Sequence, residues 1–441
     1  MDKVRLLALK IKDEIESKRS YSQIEISRTF KNRSDLSRRD KALITEIVSG
    51  SVRMQGSIDW MISNFARQPL SEIDPTQLNI LRLAIYQIIY IGNIPDYAAV
   101  DEAVNQSRDK LGEGVSKFTN GLLRNFLRNK KNLKWPDKRD KVAYFSAFYS
   151  HPKWLVKKLI DDFGVDECEK VLKADNIRPN ISLRVNTIKT SKDKVLEELK
   201  ELGMTTKISP YASEAIIIDE GYFPLNIVDM GHVYAQDVSS MIVSLALDPI
   251  AGESVIDMCA GPGGKTTHLA QLMKNEGQII AVDKNKKRLD TIDSLTKNLG
   301  VDIVELMAGD SSRPLNLPKA DKVLVDAPCS GLGVLSRRAD LRWQRKESDI
   351  DDLQNIQKRI LNNSADYVKS GGKLVYSVCT FTKEETLGVV DHFLKSRDDF
   401  VVDDIGASSA LDNVIVRNNQ IQLMPYDENS DGMFISSFKK K

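Results

Sequence analysis

Two of the four cysteines, Cys329 in Asp326-Ala-Pro-Cys-Ser-Gly-Leu-Gly333 and Cys379 in Tyr376-Ser-Val-Cys-Thr380, each follow an apolar run that reads as a strand. Two thiols at successive strand ends suit one reaction well. Carbon 5 of cytosine is too weak a nucleophile to take a methyl group until a thiolate adds at carbon 6 and turns the ring into an enamine. One cysteine must make that addition. Asp326 is placed to assist at ring nitrogen 3, as an acid or as a hydrogen-bond partner. After transfer, the proton at carbon 5 must leave before the thiol can. The competing account makes both cysteines small buried hydrophobes in a reducing compartment, which suits either one alone better than both together.

A methyl donor needs a cradle, and Val255-Ile-Asp-Met-Cys-Ala-Gly-Pro-Gly-Gly-Lys-Thr-Thr-His268 offers one. It reads as a strand, a turn holding Cys259, Ala260, Gly261, Pro262, Gly263 and Gly264, and a helix beginning near Lys265. Three ligands compete for it. A phosphate-binding P-loop requires glycine where Cys259 stands. A dinucleotide fingerprint starts at Gly261 and Gly263 but meets Thr266 at its third glycine. The acidic-x-G-x-G-x-G loop of S-adenosylmethionine methyltransferases takes Asp257 as its acid, with Cys259 replacing the first glycine. Downstream, Gln278-Ile-Ile-Ala-Val-Asp283 is a second buried strand whose terminal carboxylate suits both hydroxyls of an unsubstituted ribose. Asp310, after a third strand, is placed to receive the amine of adenine. With the cysteines, these carboxylates narrow the ligand to S-adenosylmethionine. Cys259 lies near the cofactor and is assigned no chemistry of its own.

Such residues must be brought together by a scaffold. From 254 onward strands (254–257, 278–283, 302–308, 322–326, 373–377) alternate with helices, which predicts a parallel sheet covered by helices with ligands at the carboxyl ends of the strands. The strands ending at Asp326 and Ser377 should be neighbours, so that Cys329 and Cys379 face one crevice. Upstream, strands at 181–185 and 215–218 flank a helix over 192–202. Residues 1–134 read as successive helices, one capped by Ser37, one opened by Asp74-Pro75, and a pair separated at Gly112-Glu-Gly114. The chain of 441 residues is therefore expected to be multidomain. It should hold an all-α bundle (1–134), a small α/β, RRM-like linker domain (140–225) and a Rossmann-like α/β catalytic domain (226–441).

Charge separates these parts. Residues 1–140 carry 25 Lys+Arg against 18 Asp+Glu, leaving 39 against 44 for the rest, so the helical end suits a polyanion. Arg82 and Gln87 rule out a membrane segment in the most apolar helix, and the charged start lacks a signal core. A cytoplasmic protein is expected. The cysteines, Cys168 included, form no C-x-x-C and stand near no histidine at metal spacing, so no metal is expected. Cys168 reads as a core residue.

The helical third resembles the NusB-type RNA-binding domain in Leu36-Ser-Arg-Arg-Asp-Lys-Ala-Leu-Ile-Thr-Glu-Ile-Val-Ser-Gly50, Ala99-Val-Asp-Glu-Ala-Val104 and Lys117-Phe-Thr-Asn-Gly-Leu-Leu-Arg124. The cofactor loop Cys259–Lys265, Asp283, Asp310, Asp326-Ala-Pro-Cys-Ser-Gly331 and Ser377-Val-Cys-Thr380 resemble the Nol1/Nop2/Sun family of RNA 5-methylcytosine methyltransferases. That resemblance implies the class I methyltransferase fold, S-adenosylmethionine as cofactor, Cys379 as nucleophile and Cys329 as the residue aiding product release. With the NusB-like front end it also implies 16S rRNA as substrate, at cytosine 967, on naked or partly assembled small subunits, by a monomer. Backbone contacts to RNA are expected from Arg38 and Arg39, from Arg184 in a Leu-Arg-Val-Asn element, and from Arg337, Arg338 and Arg342. Trp343 is expected to pack. The chain departs from the family at Val378, where threonine is usual, at Gly261, where alanine or proline is usual, and in the segment 337–343, which lacks a proline. A non-catalytic RNA-binding assembly or antitermination adaptor, or the same chemistry on tRNA, are the rival functions.

Overall fold

The computed structural model describes all residues except 1, 32, 408–410 and 428–429. The chain forms two compact units, Met1–Ile177 with Arg337–Arg345, and Arg178–Ser336 with Lys346–Lys441.

The first unit is helical. Ser37 and Asp40 close a reciprocal capping box at the start of helix Arg38–Arg53, and Asp74 caps helix Pro75–Tyr90 by accepting from the Gln77 amide. Gly112, at φ 92°, separates helices Asp96–Leu111 and Glu113–Asn129. Ile44, Ile47, Val48, Leu81, Ile85, Leu123 and Phe126 form its buried core. Arg82 enters that core only because its guanidinium is bidentate on Asp59 and also donates to Glu16. No helix among the described residues is long and apolar enough to cross a membrane. Helices Lys141–Phe148, Lys153–Phe163 and Val165–Ala174 belong to this unit too, with Cys168 buried among them.

The second unit contains two sheets. Strands β1 (Ile181–Val185), β2 (Thr205–Ile208), β3 (Ala215–Glu220) and β4 (Val233–Ala235) form an antiparallel sheet in the order β2-β3-β1-β4. The main sheet is built from β5 (Ser254–Asp257), β6 (Gln278–Asp283), β7 (Val304–Ala308), β8 (Ala320–Asp326), β9 (Val368–Val378), β10 (Phe400–Val402), β11 (Val416–Arg417), β12 (Gln420–Leu423) and β13 (Met433–Lys440). Its order is β11-β12-β13-β9-β8-β5-β6-β7, with β10 on β13.

β5 to β9 pair in parallel, as alternation with helices predicts. The remaining pairings are antiparallel, so the sheet is mixed. Among the described residues no helical segment separates β12 from β13, and a connection that short permits only antiparallel return. The order reverses between β5 and β8, the place where ligands settle in open α/β sheets.

Candidate active site

The cofactor loop leaves β5 and enters helix Gly264–Leu272. Gly263, at φ 108°, turns the chain into that helix, a conformation that would strain any residue with a Cβ. Asp257 is buried, accepting from the Thr266 hydroxyl at 2.7 Å and the Cys259 amide at 3.4 Å. Burial pushes its carboxyl up to about 7, against the Thr266 hydrogen bond and with the help of the Asp326 charge. Asp283 ends β6 and accepts from the Gly261 amide at 3.0 Å and the Asn285 amide at 2.8 Å, which ties the ribose-side carboxylate to the glycine turn. A Cβ at Gly261 would come within 2.5 Å of that carboxylate. Asp310, past β7, is half-buried and accepts from the Ser312 amide and hydroxyl on one oxygen. A glycine turn between buried β5 and two carboxylates at the ends of β6 and β7 fits S-adenosylmethionine. Gly261, Gly263 and Asp283 would hold its ribose side and Asp310 its adenine.

Lys265, expected on the cofactor, donates to Asp326 at 2.8 Å. Burial works against its charge, but attraction and a hydrogen bond to Asp326 outweigh this and raise its pKa. The other Asp326 oxygen accepts from the Ser377 hydroxyl at 2.8 Å. Asp326 and Ser377 are register partners on β8 and β9. The loops beyond them therefore start side by side, and Cys329 Sγ and Cys379 Sγ lie 3.2 Å apart. The hydrogen bond from Cys329 pulls the Cys379 thiol below its ordinary value, helped by Lys265 and opposed by burial and by the carboxylates of Asp326 and Asp431. The same contact, then burial, then the charges of Cys379, Glu385 and Asp326, push Cys329 well up. Of the pair, Cys379 is therefore the more acidic thiol and Cys329 the one that holds its proton more tightly. Cys259 is pushed up by burial and by Asp257, Asp326 and Asp283, which makes it a poor nucleophile.

Two expected RNA contacts are corrected. Arg184 is 1 % exposed; its guanidinium donates to the Gln236 side chain, the Gly264 carbonyl and the Thr267 hydroxyl, and lies over the Tyr234 ring. Arg342 is fully buried and donates to the carbonyls of Arg53, Ser150 and Asp175 and to the Asn176 side chain. Neither can reach a phosphate. A desolvated guanidinium with several oxygens to satisfy is a structural staple. Trp343 packs in the same unit, donating to the Val52 carbonyl. Arg38, Arg39 and Arg338 are exposed, and Arg337 is half-buried.

Sequence reasoning does not find Glu385. It is fully buried and accepts from Ser330, Gln357 and Thr382, although a Lys-Glu-Glu run ordinarily reads as a solvated turn.

A glycine turn that fits an adenosine ligand at the switch point, and two cysteines in contact on the adjoining strands, suit a methyltransferase of the Rossmann-like kind. Comparison with known proteins agrees. Residues 244–439 match the model of 16S rRNA methyltransferase RsmB/F, residues 2–128 that of the NusB family, and residues 151–223 that of the ferredoxin-like domain of RsmF/B-like methyltransferases. The chain is 34% identical over 445 residues to a probable ribosomal RNA small subunit methyltransferase B of Bacillus subtilis, covering 99% of each. The crystal structure of PH0851 superposes with a TM-score of 0.83 at 27% identity, covering 99% of this chain and 98% of that one. NSun6 from Pyrococcus horikoshii, solved with SFG, an S-adenosylmethionine analogue, gives a TM-score of 0.60 at 26% identity over 66% of this chain and 98% of that one. The chain belongs to the RsmB/F family of 16S rRNA methyltransferases, which depend on S-adenosylmethionine.

Proposed function

We propose that the protein methylates carbon 5 of a cytosine in 16S rRNA, cytosine 967 by family resemblance, on naked or partly assembled small subunits in the cytoplasm. The observation that carries this reading is the pair of sulfurs 3.2 Å apart beside Asp326 and Lys265. The target base must leave its stack to enter the crevice. There the Cys379 thiolate adds to carbon 6 while Asp326, oriented by Lys265 and Ser377 and acting in its protonated form, gives its proton to ring nitrogen 3 and so neutralises the negative charge that the addition places on the ring. Bound S-adenosylmethionine supplies the methyl group that carbon 5 takes up. Loss of the carbon 5 proton, taken up by Cys329 as its own proton passes to the departing sulfur, restores the double bond and expels Cys379. Cys329, in contact with the departing sulfur, returns a proton to it and so aids release.

Bisulfite sequencing of total RNA from a deletion strain tests the substrate. One newly unprotected cytosine in 16S rRNA is expected. An unchanged map points to the non-catalytic adaptor, and a changed tRNA to the other rival. Cys329→Ser should attach to RNA and accumulate as a covalent complex visible on a denaturing gel. A freely turning-over Cys329→Ser enzyme removes that cysteine from the release step.

A further inference from the structure

Glu385 lies outside every role assigned so far, yet it is wholly buried. Four donors converge on it. One carboxylate oxygen accepts from the Ser330 amide at 2.8 Å and the Gln357 side chain at 3.0 Å; the other accepts from the Ser330 hydroxyl at 2.5 Å and the Thr382 hydroxyl at 2.8 Å. Ser330 follows Cys329, and Thr382 lies on the segment that follows Cys379. Ser330 and Thr380 share a further hydroxyl contact at 3.0 Å. Gln357, from helix Ser348–Ala365, also donates to the Pro328 carbonyl at 3.0 Å. The Tyr376 hydroxyl donates to the Glu385 carbonyl at 2.7 Å, which fixes the backbone that carries the carboxylate. Four donors on two oxygens suit an acceptor-only carboxylate.

We infer that Glu385 is the positioning residue of the two-cysteine site, its carboxylate clasping the Cys329 loop and the Cys379 loop at once so that the two sulfurs stay in contact. It touches no reacting atom. Its charge also faces Cys329, together with those of Asp326 and Cys379, while Cys379 faces Lys265, Asp326 and Asp431. The clasp therefore keeps the two thiols in unequal surroundings. This inference rests on the paired-cysteine reading of the site, but its test needs neither RNA nor cofactor.

The test is the pH profile of iodoacetamide alkylation at each cysteine of the full-length protein, read by mass spectrometry, with Cys168 as the folding control of the helical unit and Cys259 as that of the unit that holds the pair. In Glu385→Gln, the amide places a donor against donors and removes the charge. Cys379 should alkylate roughly 10-fold more slowly near neutral pH and Cys329 faster, so that their two midpoints converge while Cys168 stays protected. Glu385→Asp keeps the charge but loses reach, and should converge partway. If Glu385→Gln does not fold, Ser330→Ala and Thr382→Val each remove one donor and should each give a smaller convergence. Midpoints that remain as far apart as in the parent protein overturn the inference, and so does convergence accompanied by faster alkylation of Cys259, in the same unit, which makes Glu385 a general fold residue. Methylation that persists at full rate in Cys379→Ser would overturn the cytosine reading and leave the clasp standing.

Discussion

Behind the cofactor loop lies a buried cation, and behind the cysteine loops a buried anion. Arg184 grips the first turn of helix Gly264–Leu272 through the Gly264 carbonyl and the Thr267 hydroxyl, and it leaves the glycines at 261 and 263 untouched. One of its nitrogens, Nε, has no partner. Burial lowers its pKa to about 10, with the Tyr234 and Glu214 charges acting in the opposite direction, so it remains charged at neutral pH. Glu385 grips the residues beside both sulfurs and has each oxygen doubly satisfied. A loop that must admit a ligand is anchored from its far end, whereas two thiols that must meet are held at the point of contact. Each region thus uses one desolvated charge, fully hydrogen-bonded where precision matters and less so where entry matters.

The largest expected effect separates the two regions outright. Cys379→Ser should reduce methyl transfer on the order of 10^4-fold or more, with S-adenosylmethionine affinity by calorimetry unchanged, because the sulfur plays no part in the cradle. Weakened cofactor binding in that variant would merge two regions held to be separate. The reverse separation comes from Arg184→Met, which leaves the Gly264 carbonyl and the Gln236 side chain without their donor. Denaturant unfolding should show a loss of about 3 kcal/mol and calorimetry a weaker cofactor, while the alkylation profile of Cys379 stays as in the parent. An Arg184→Met protein with full stability but reduced RNA affinity would restore Arg184 as a phosphate contact.

The sheet is legible in the sequence because strands β5 to β9 are apolar runs ending in residues with chemical uses, and two such ends, Asp326 and Ser377, fall on register partners. The cysteine pair can be anticipated for that reason. Its asymmetry cannot, since that depends on a sulfur contact and on charges brought from Lys265, Asp431 and Glu385, positions far from the cysteines or hidden in an ordinary polar run. The antiparallel edge from β10 to β13 escapes a sequence reading because short strands after the last helix carry no motif. Arg184 and Arg342 mislead for one physical reason. An arginine's type announces a charge, but only the fold reveals whether carbonyls or solvent surround it. Leu183 and Val185 beside Arg184 are the available hint, as a strand buried on both faces leaves no solvent side.

Asp257 sharpens the cradle's side of the comparison. Its carboxyl titrates near about 7 in the folded protein, against the ordinary aspartate value of 3.8 expected once the chain unfolds. Below the lower value it is protonated in both states and costs nothing. As pH rises through the window between them the unfolded chain ionises first, so folded stability falls, and above the upper value the loss is complete. Asp257→Asn, which cannot ionise, should therefore gain on the parent protein across that window, by about 4 kcal/mol between its two ends, measured by urea unfolding at successive pH values. A stability difference that is flat with pH would mean that Asp257 is ionised throughout.

The smallest expected effect concerns the arginines that are exposed rather than buried. Arg38 and Arg39 open helix Arg38–Arg53 on the face of the unit matched by the NusB model, and both are exposed. As phosphate contacts they would act through counterion release, which sets affinity without selecting sequence. Replacing both by alanine should lower the slope of log affinity against log salt by about 1 to 2, equally for 16S rRNA and for unrelated RNA, and leave transfer at saturating RNA unchanged. Arg342→Ala should do the opposite, destabilising the helical unit by stripping four oxygens of their donor while leaving the salt slope where it was. A salt slope that moves with Arg342 and not with Arg38 and Arg39 would mean that burial fails to separate structural arginines from RNA-binding ones in this protein.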